Sequence, residues 1–143
     1  MFLGEFRMTL MIWSPRYQLG YPRIDDEHQV LFSLLSQLQD SLFQPDSDAH
    51  ALAIVTELEA YAQYHFSTEE GLMELHQYPH LRSHIRQHRN FVEELTEHRR
   101  RIENGDYAGV VGLLNFVRQW LSTHILQTDN RFVRFLQRAD TGV

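Results

Sequence analysis

Four stretches of this chain carry apolar residues at three- and four-residue steps, and in each the stripe is interrupted by histidines or carboxylates. The interruptions are His28 in the first stretch, His65 and Glu69 in the second, His84 and His88 in the third, and His124 and Asp129 in the fourth. A buried polar group without a partner costs about 1–3 kcal/mol. Seven such groups on inward faces must therefore meet one another, or meet something that satisfies them all.

The stretches themselves read as helices. From about residue 25 to 44, Val30, Leu31, Leu34, Leu35, Leu38 and Leu42 recur at helical spacing, with Asp25 and Asp26 as the expected cap and Pro45 as the stop. A second helix follows Asp46-Ser47-Asp48 and carries Val55, Leu58, Ala62, His65, Phe66, Glu69 and Met73 to about residue 76, where Tyr78-Pro79 breaks it. The third, from about 80 to 104, carries His84, His88, Phe91, Leu95 and Ile102 and stops at Asn104-Gly105. The fourth runs from about 107 to 138 through Leu113, Val117, Trp120, Leu121, His124, Phe132 and Leu136. Nothing reads as a strand. The expected fold is all-α: an up-down-up-down antiparallel four-helix bundle over 13–138, with an N-terminal extension at 1–12 forming an arm and a C-terminal tail at 139–143. Met8 and Met11 offer alternative starts within that extension.

This topology places the start of the first helix, the end of the second, the start of the third and the latter half of the fourth at one end of the bundle. His28, expected in the first turn of its helix, and the other six residues all fall there. Glu69 and His84, like His65 and His88, are equidistant from the turn at Tyr78-Pro79, so an antiparallel hairpin sets each pair side by side. The i, i+4 pairs His65/Glu69 and His84/His88 share a helix face about 6 Å apart along the axis. His124 and Asp129 fit less simply, because five residues diverge by about 140° on an ideal α-helix.

Composition removes alternatives. The 143 residues include no cysteine, which excludes disulfides, thiolate chemistry, iron–sulfur clusters and cysteine-ligated zinc. A formal net charge of −6 argues against a nucleic-acid surface, and Arg99-Arg100-Arg101, set among glutamates, reads as a solvated helix face. No apolar run approaches a membrane span and no cleavage signal follows the N-terminal apolar segment, so a cytoplasmic location is expected. His50, His76, His80 and His98 lie near connections or on polar faces.

Seven ligating side chains exceed what one tetrahedral zinc takes. Imidazoles suit zinc, copper, iron or nickel, and a carboxylate can bridge two ions. Carboxylate-rich di-iron bundles use Glu-x-x-His pairs, and this chain has none.

The segments Ile24-Asp25-Asp26-Glu27-His28, His65-Phe66-Ser67-Thr68-Glu69-Glu70 with Met73, Tyr78-Pro79, His84-x-x-x-His88-x-x-Phe91 and Trp120-Leu121-x-x-His124-Ile125-x-x-x-Asp129 together resemble the hemerythrin family, in its bacterial single-domain form, over about residues 13 to 136. The resemblance implies two iron ions. His84, His88 and His124 would hold one, His28 and His65 the other, with Glu69, Asp129 and an oxo or hydroxo group bridging them. The second iron then has five ligands, and its open position implies end-on binding of dioxygen, held as a hydroperoxide. By this scheme the core carries the same net charge with and without oxygen, so the buried surroundings need little reorganisation. Phe66, Ile125, Leu31 and Trp120 would line a dry pocket, and Asp25 would either orient the His28 ring or cap its helix.

The function so implied is oxygen storage or delivery by a non-enzymatic monomer, with an oxygen-consuming or signalling protein as a possible partner. A sensor of oxygen, redox state or nitric oxide is the alternative reading, and a di-iron peroxidase the third.

Overall fold

The computed structural model describes residues 12–106 and 108–140. After a short 3-10 turn at Pro15–Tyr17 come α1 (Pro22–Ser41), α2 (Ser47–Leu75), α3 (Leu81–Glu103) and α4 (Gly109–Thr123). The last continues through a π-helical turn at His124–Asp129 into α5 (Asn130–Asp140), so α4, the π turn and α5 form the fourth rod of the bundle. Each rod packs on the next along the chain and α4 closes back on α1. No strand occurs among the described residues.

α1 begins earlier than the Asp25-Asp26 cap implies. Pro22 occupies its first turn, where a missing N–H costs nothing and φ is preset for the helix. His28 therefore sits in the second turn. The Asp25 carboxylate accepts the backbone N–H groups of Leu19, at 2.8 Å, and Gly20, at 3.0 Å, and ties the entering loop to the helix. Gly20 adopts φ +97°, a backbone conformation that side-chain-bearing residues rarely take, while the Gln137 amide 2.8 Å from where a Cβ would lie could swing aside. Val30, expected in the inward stripe, is 40% exposed; Leu31, Leu34, Leu35 and Leu38 are the buried face.

The α2–α3 and α3–α4 connections end their helices in the same way. Tyr78 N–H donates to Met73 O and Gln77 N–H to Glu74 O, the paired bonds of a Schellman cap. Asp106 N–H donates to Arg101 O and Gly105 N–H to Ile102 O in the second instance. Gly105 takes φ +89° at no steric cost, but Gln77 takes φ 55° with a side chain attached. The buried pair Met73 and Tyr78 holds this cap from inside.

The core has two parts. The larger cluster runs through Leu35, Leu38, Val55, Leu58, Leu95, Leu113 and Val117, and takes in Trp13, Tyr17 and Phe32 at the entering chain. The smaller one, of Ile24, Met73, Tyr78, Phe132, Val133 and Leu136, closes the end of the bundle. Arg99 donates to Glu59 at 2.6 Å and Glu103 at 2.8 Å, so the expected solvated face also braces α3 against α2. All of the expected extension except Ile12, and residues 141–143 of the expected tail, lie outside the described residues, while α5 reaches Asp140.

Left-handed backbone at an exposed glutamine stores strain that glycine would not. Gln77→Gly is expected to raise the unfolding free energy by about 1 kcal/mol and Gln77→Val to lower it, read as opposite shifts of the urea midpoint at constant slope.

Candidate metal centre

The seven residues converge in one layer between the two core clusters, each of them at most 3% exposed. They fall into two groups whose donor atoms lie within 4.8 Å of one another. Glu69, His84, His88, His124 and Asp129 form one, and His28, His65, Glu69 and Asp129 form the other. The two carboxylates belong to both.

The division is made oxygen by oxygen. Glu69 Oε1 lies 3.1 Å from His88 Nε2 and 3.4 Å from His84 Nε2, while Glu69 Oε2 lies 3.2 Å from His65 Nε2 and 3.6 Å from His28 Nε2. Asp129 Oδ1 is 3.0 Å from both His84 Nε2 and His124 Nε2, and its Oδ2 is 2.9 Å from His28 Nε2. Each carboxylate thus turns one oxygen to each imidazole group.

The π turn removes the difficulty over His124 and Asp129. Its i→i+5 bonding puts one more residue into the turn than an α-helix holds, so residues five apart return to one face. Both side chains then meet His84, and the following residues resume α-geometry with Phe132, Val133 and Leu136 still buried.

The donor set fits cations better than it fits itself. His28 Nε2, both Glu69 oxygens and Asp129 Oδ2 are buried and make no hydrogen bond, although N···O separations run as short as 2.9 Å. The atoms are close without pointing at one another. Ligands at right angles on an ion with bonds of about 2.1 Å stand about 3.0 Å apart, which is the spacing found. His88 Nε2 and His124 Nε2 also face each other at 3.2 Å while their Nδ1 atoms are engaged outward, an arrangement that needs a proton or a metal ion between two lone pairs.

Outward partners fix three of the rings. His65 Nδ1–H donates to Glu27 Oε1 at 2.7 Å, His88 Nδ1–H to Glu70 Oε2 at 2.8 Å, and His124 Nδ1–H to Gln87 Oε1 at 2.8 Å. Such bonds select the tautomer that leaves Nε2 free to ligate. Sequence reasoning missed all three acceptors. Each adjoins one of the seven residues along the chain, but serves an imidazole on another helix. Asp25, the one acceptor considered, is engaged with the loop at Leu19 and Gly20, and His28 Nδ1 has no hydrogen-bond partner.

Phe66 stacks flat on His88 at 3.8 Å and Trp120 on His124 at 4.2 Å, so both cover rings of the three-histidine group. Ile125 and Leu31 are fully buried in the larger core cluster. His50, His76, His80 and His98 join neither group.

Without cations the carboxylates draw protons onto the imidazoles. Burial pushes His65 down, but the close charge of Glu69 and the hydrogen bond to Glu27 outweigh it and carry the ring up to about 10. His84 rises to about 9, its burial outweighed by the hydrogen bond to Asp129 and the nearby charge of Glu69. Burial also works against the charged forms of Glu69 and Asp129, yet the surrounding imidazoles hold both well below the ordinary carboxylate range.

Comparison with known proteins places these features in context. The family described as the Hemerythrin HHE cation binding domain matches residues 19–136. A protein named Bacteriohemerythrin from Clostridium acetobutylicum is 28% identical over 128 residues, covering 87% of this chain and 99% of that protein. A Bacteriohemerythrin from Pseudomonas aeruginosa is 31% identical over 129 residues, with 88% and 81% covered. Hemerythrin subunit 2 of Golfingia vulgaris is 30% identical over 121 residues, with 85% and 89% covered. A crystal structure of a leucine-to-phenylalanine mutant superposes with a TM-score of 0.80 at 22% identity, over 88% of this chain and 96% of that one, which bears on the fold alone.

The proton positions give a sign that can be tested. His65 and His84 are raised in the folded metal-free chain, to about 10 and about 9. Their contribution to stability is therefore complete below about pH 6.5 and is lost as pH rises through those values. The chelator-treated protein is expected to lose melting temperature between pH 7 and 10. Loading metal at pH 8 is expected to release protons into weakly buffered solution. A metal-free melting curve that is flat over that range would contradict the protonated layer.

Proposed function

The chain belongs to the hemerythrin family, and from that premise we propose that it holds two iron ions in this layer and binds dioxygen reversibly, as a store or carrier of oxygen. The observation that carries the reading is the split of Glu69 and Asp129, one oxygen of each toward His84, His88 and His124 and the other toward His28 and His65. A single buried ion would not call for that division. When bound, two ferrous ions supply the two electrons with which dioxygen is reversibly held.

The protein's own contribution is unequal by design of its ligand count. One group offers three imidazoles and two carboxylate oxygens, the other two imidazoles and two oxygens. The His28/His65 group, with one fewer protein atom, is where an external ligand enters. Neutral imidazoles outnumber carboxylates, which favours the lower oxidation states over those that cleave an O–O bond. Burial keeps the layer dry, so the carboxylates and imidazoles act on the ions at low local dielectric. Fully buried Ile125, next to His124 within the π turn, and Leu31, one turn of α1 after His28, belong to the apolar wall that excludes water.

Metal analysis of the purified protein is expected to give about two irons per chain, with an absorption band that bleaches on deoxygenation and returns with air. Loss of the second ion in Glu69→Ala, with the first retained weakly, would accord with a shared carboxylate. One iron per chain in the wild type would overturn the reading, and turnover of peroxide with an added reductant would favour an enzyme. Ile125→Ala is expected to admit water and speed oxidation of the iron in air, followed as decay of the oxygen-dependent band.

A further inference from the structure

Every imidazole in the layer sends Nε2 inward, so the protein can tune it only through Nδ1. His65 and His88 meet carboxylates there, Glu27 and Glu70, whereas His124 meets the neutral amide of Gln87. His28 Nδ1 and His84 Nδ1 have no hydrogen-bond partner. The three-histidine group thus contains one ring backed by a full negative charge, one by an amide dipole and one by nothing.

Gln87 does more than face His124. Its Oε1 also accepts the Thr128 hydroxyl at 3.0 Å. His124 opens the π turn and Thr128 is its fifth residue, so one oxygen on α3 ties both ends of that turn to the neighbouring helix. The same oxygen suits a ligating His124. A ring that ligates through Nε2 carries its proton on Nδ1, and the Gln87 Oε1 that faces it accepts both that proton and the Thr128 hydroxyl. The Nε2 lone pair is then directed at the layer.

We propose that Gln87 is a positioning residue for the three-histidine ion: it locks the ligating tautomer of His124 across the π turn and, being uncharged, keeps that imidazole a weaker electron donor than His88. A carboxylate at this place would draw the Nδ1 proton toward itself, make the ring more basic and stabilise the ferric ion. An amide gives the same orientation without that push, which favours the ferrous state that binds oxygen. The inference rests on the di-iron reading above. Gln87 is half-buried at the edge of an open groove with Glu94, Phe116, Gln119, Trp120 and Thr123, so a charge introduced there can be hydrated on its outer side.

Two near-isosteric variants separate tuning from mere support. Gln87→Glu retains an acceptor for both His124 and Thr128 and alters only charge. It is expected to favour the ferric state by about tenfold, a fall of about 59 mV per electron in the midpoint potential of the iron-loaded protein. Gln87→Met retains length but has no comparable acceptor. Its affinity for metal, measured by chelator competition with zinc as a redox-silent probe, is expected to fall about 10–100-fold. Melting of the metal-free variants reads the structural part separately. A Gln87→Glu potential equal to or above that of the wild type would overturn the proposal, as would wild-type zinc affinity in Gln87→Met. A wild-type chain that takes up no metal would overturn the di-iron reading itself, whereas a loaded wild type with unresponsive variants would overturn this inference alone.

Discussion

Five imidazoles and two carboxylates buried in one layer are the condition to which the rest of the molecule answers. Two ionised carboxylates removed from water repel one another and lack enough donors around them, and such groups are tolerated only when paired or coordinated to a cation. In the metal-free chain protons supply the positive charge, which is why His65 and His84 hold theirs so far above the ordinary histidine value. Several of the contacts, those of His28 Nε2, both Glu69 oxygens and Asp129 Oδ2, are nonetheless close without hydrogen-bond geometry. A pair of metal ions between the donors answers both the charge and the geometry.

The helices are built to deliver these groups to one level. Schellman caps at the C-termini of α2 and α3 make sharp reversals, and the smaller apolar cluster closes the layer from the side of the turn. The π turn lets His124 and Asp129 share a face without removing Phe132, Val133 and Leu136 from the core. One inserted residue thus reconciles two periodicities, the ligands before it and the apolar stripe after it. The insertion is held in place by contacts from outside its own helix, above all the Gln87 oxygen that takes both His124 and Thr128.

A surrounding ring of acceptors and aromatic planes orients what the helices deliver. Glu27, Glu70 and Gln87 set tautomers, and Phe66 and Trp120 lie flat against His88 and His124. Apart from Trp120 on His124, one turn apart on the fourth rod, these contacts join different helices. They cross from α1 to α2, from α2 to α3 and from α3 to the fourth rod, so the electronic character of the layer depends on how the helices are rotated about their axes.

The sequence by itself determined the four helices, their antiparallel order and the level at which the seven residues meet. Periodicity of three and four residues and distance from a turn are local quantities, and a short connection leaves little choice of direction. It also carried the family resemblance. It misplaced the start of α1, where Pro22 outweighed the Asp25-Asp26 signal, and it put Val30 inside, because a stripe one residue too wide still looks helical. Only the tertiary structure decided that His124 and Asp129, five positions apart, close on one face, that Asp25 serves the loop, and that Glu27, Glu70 and Gln87 serve the rings. The reason is the same in each case. Backbone spacing is written along one helix, whereas a contact between a helix and the loop or helix beside it exists only once packing has fixed their rotation and separation.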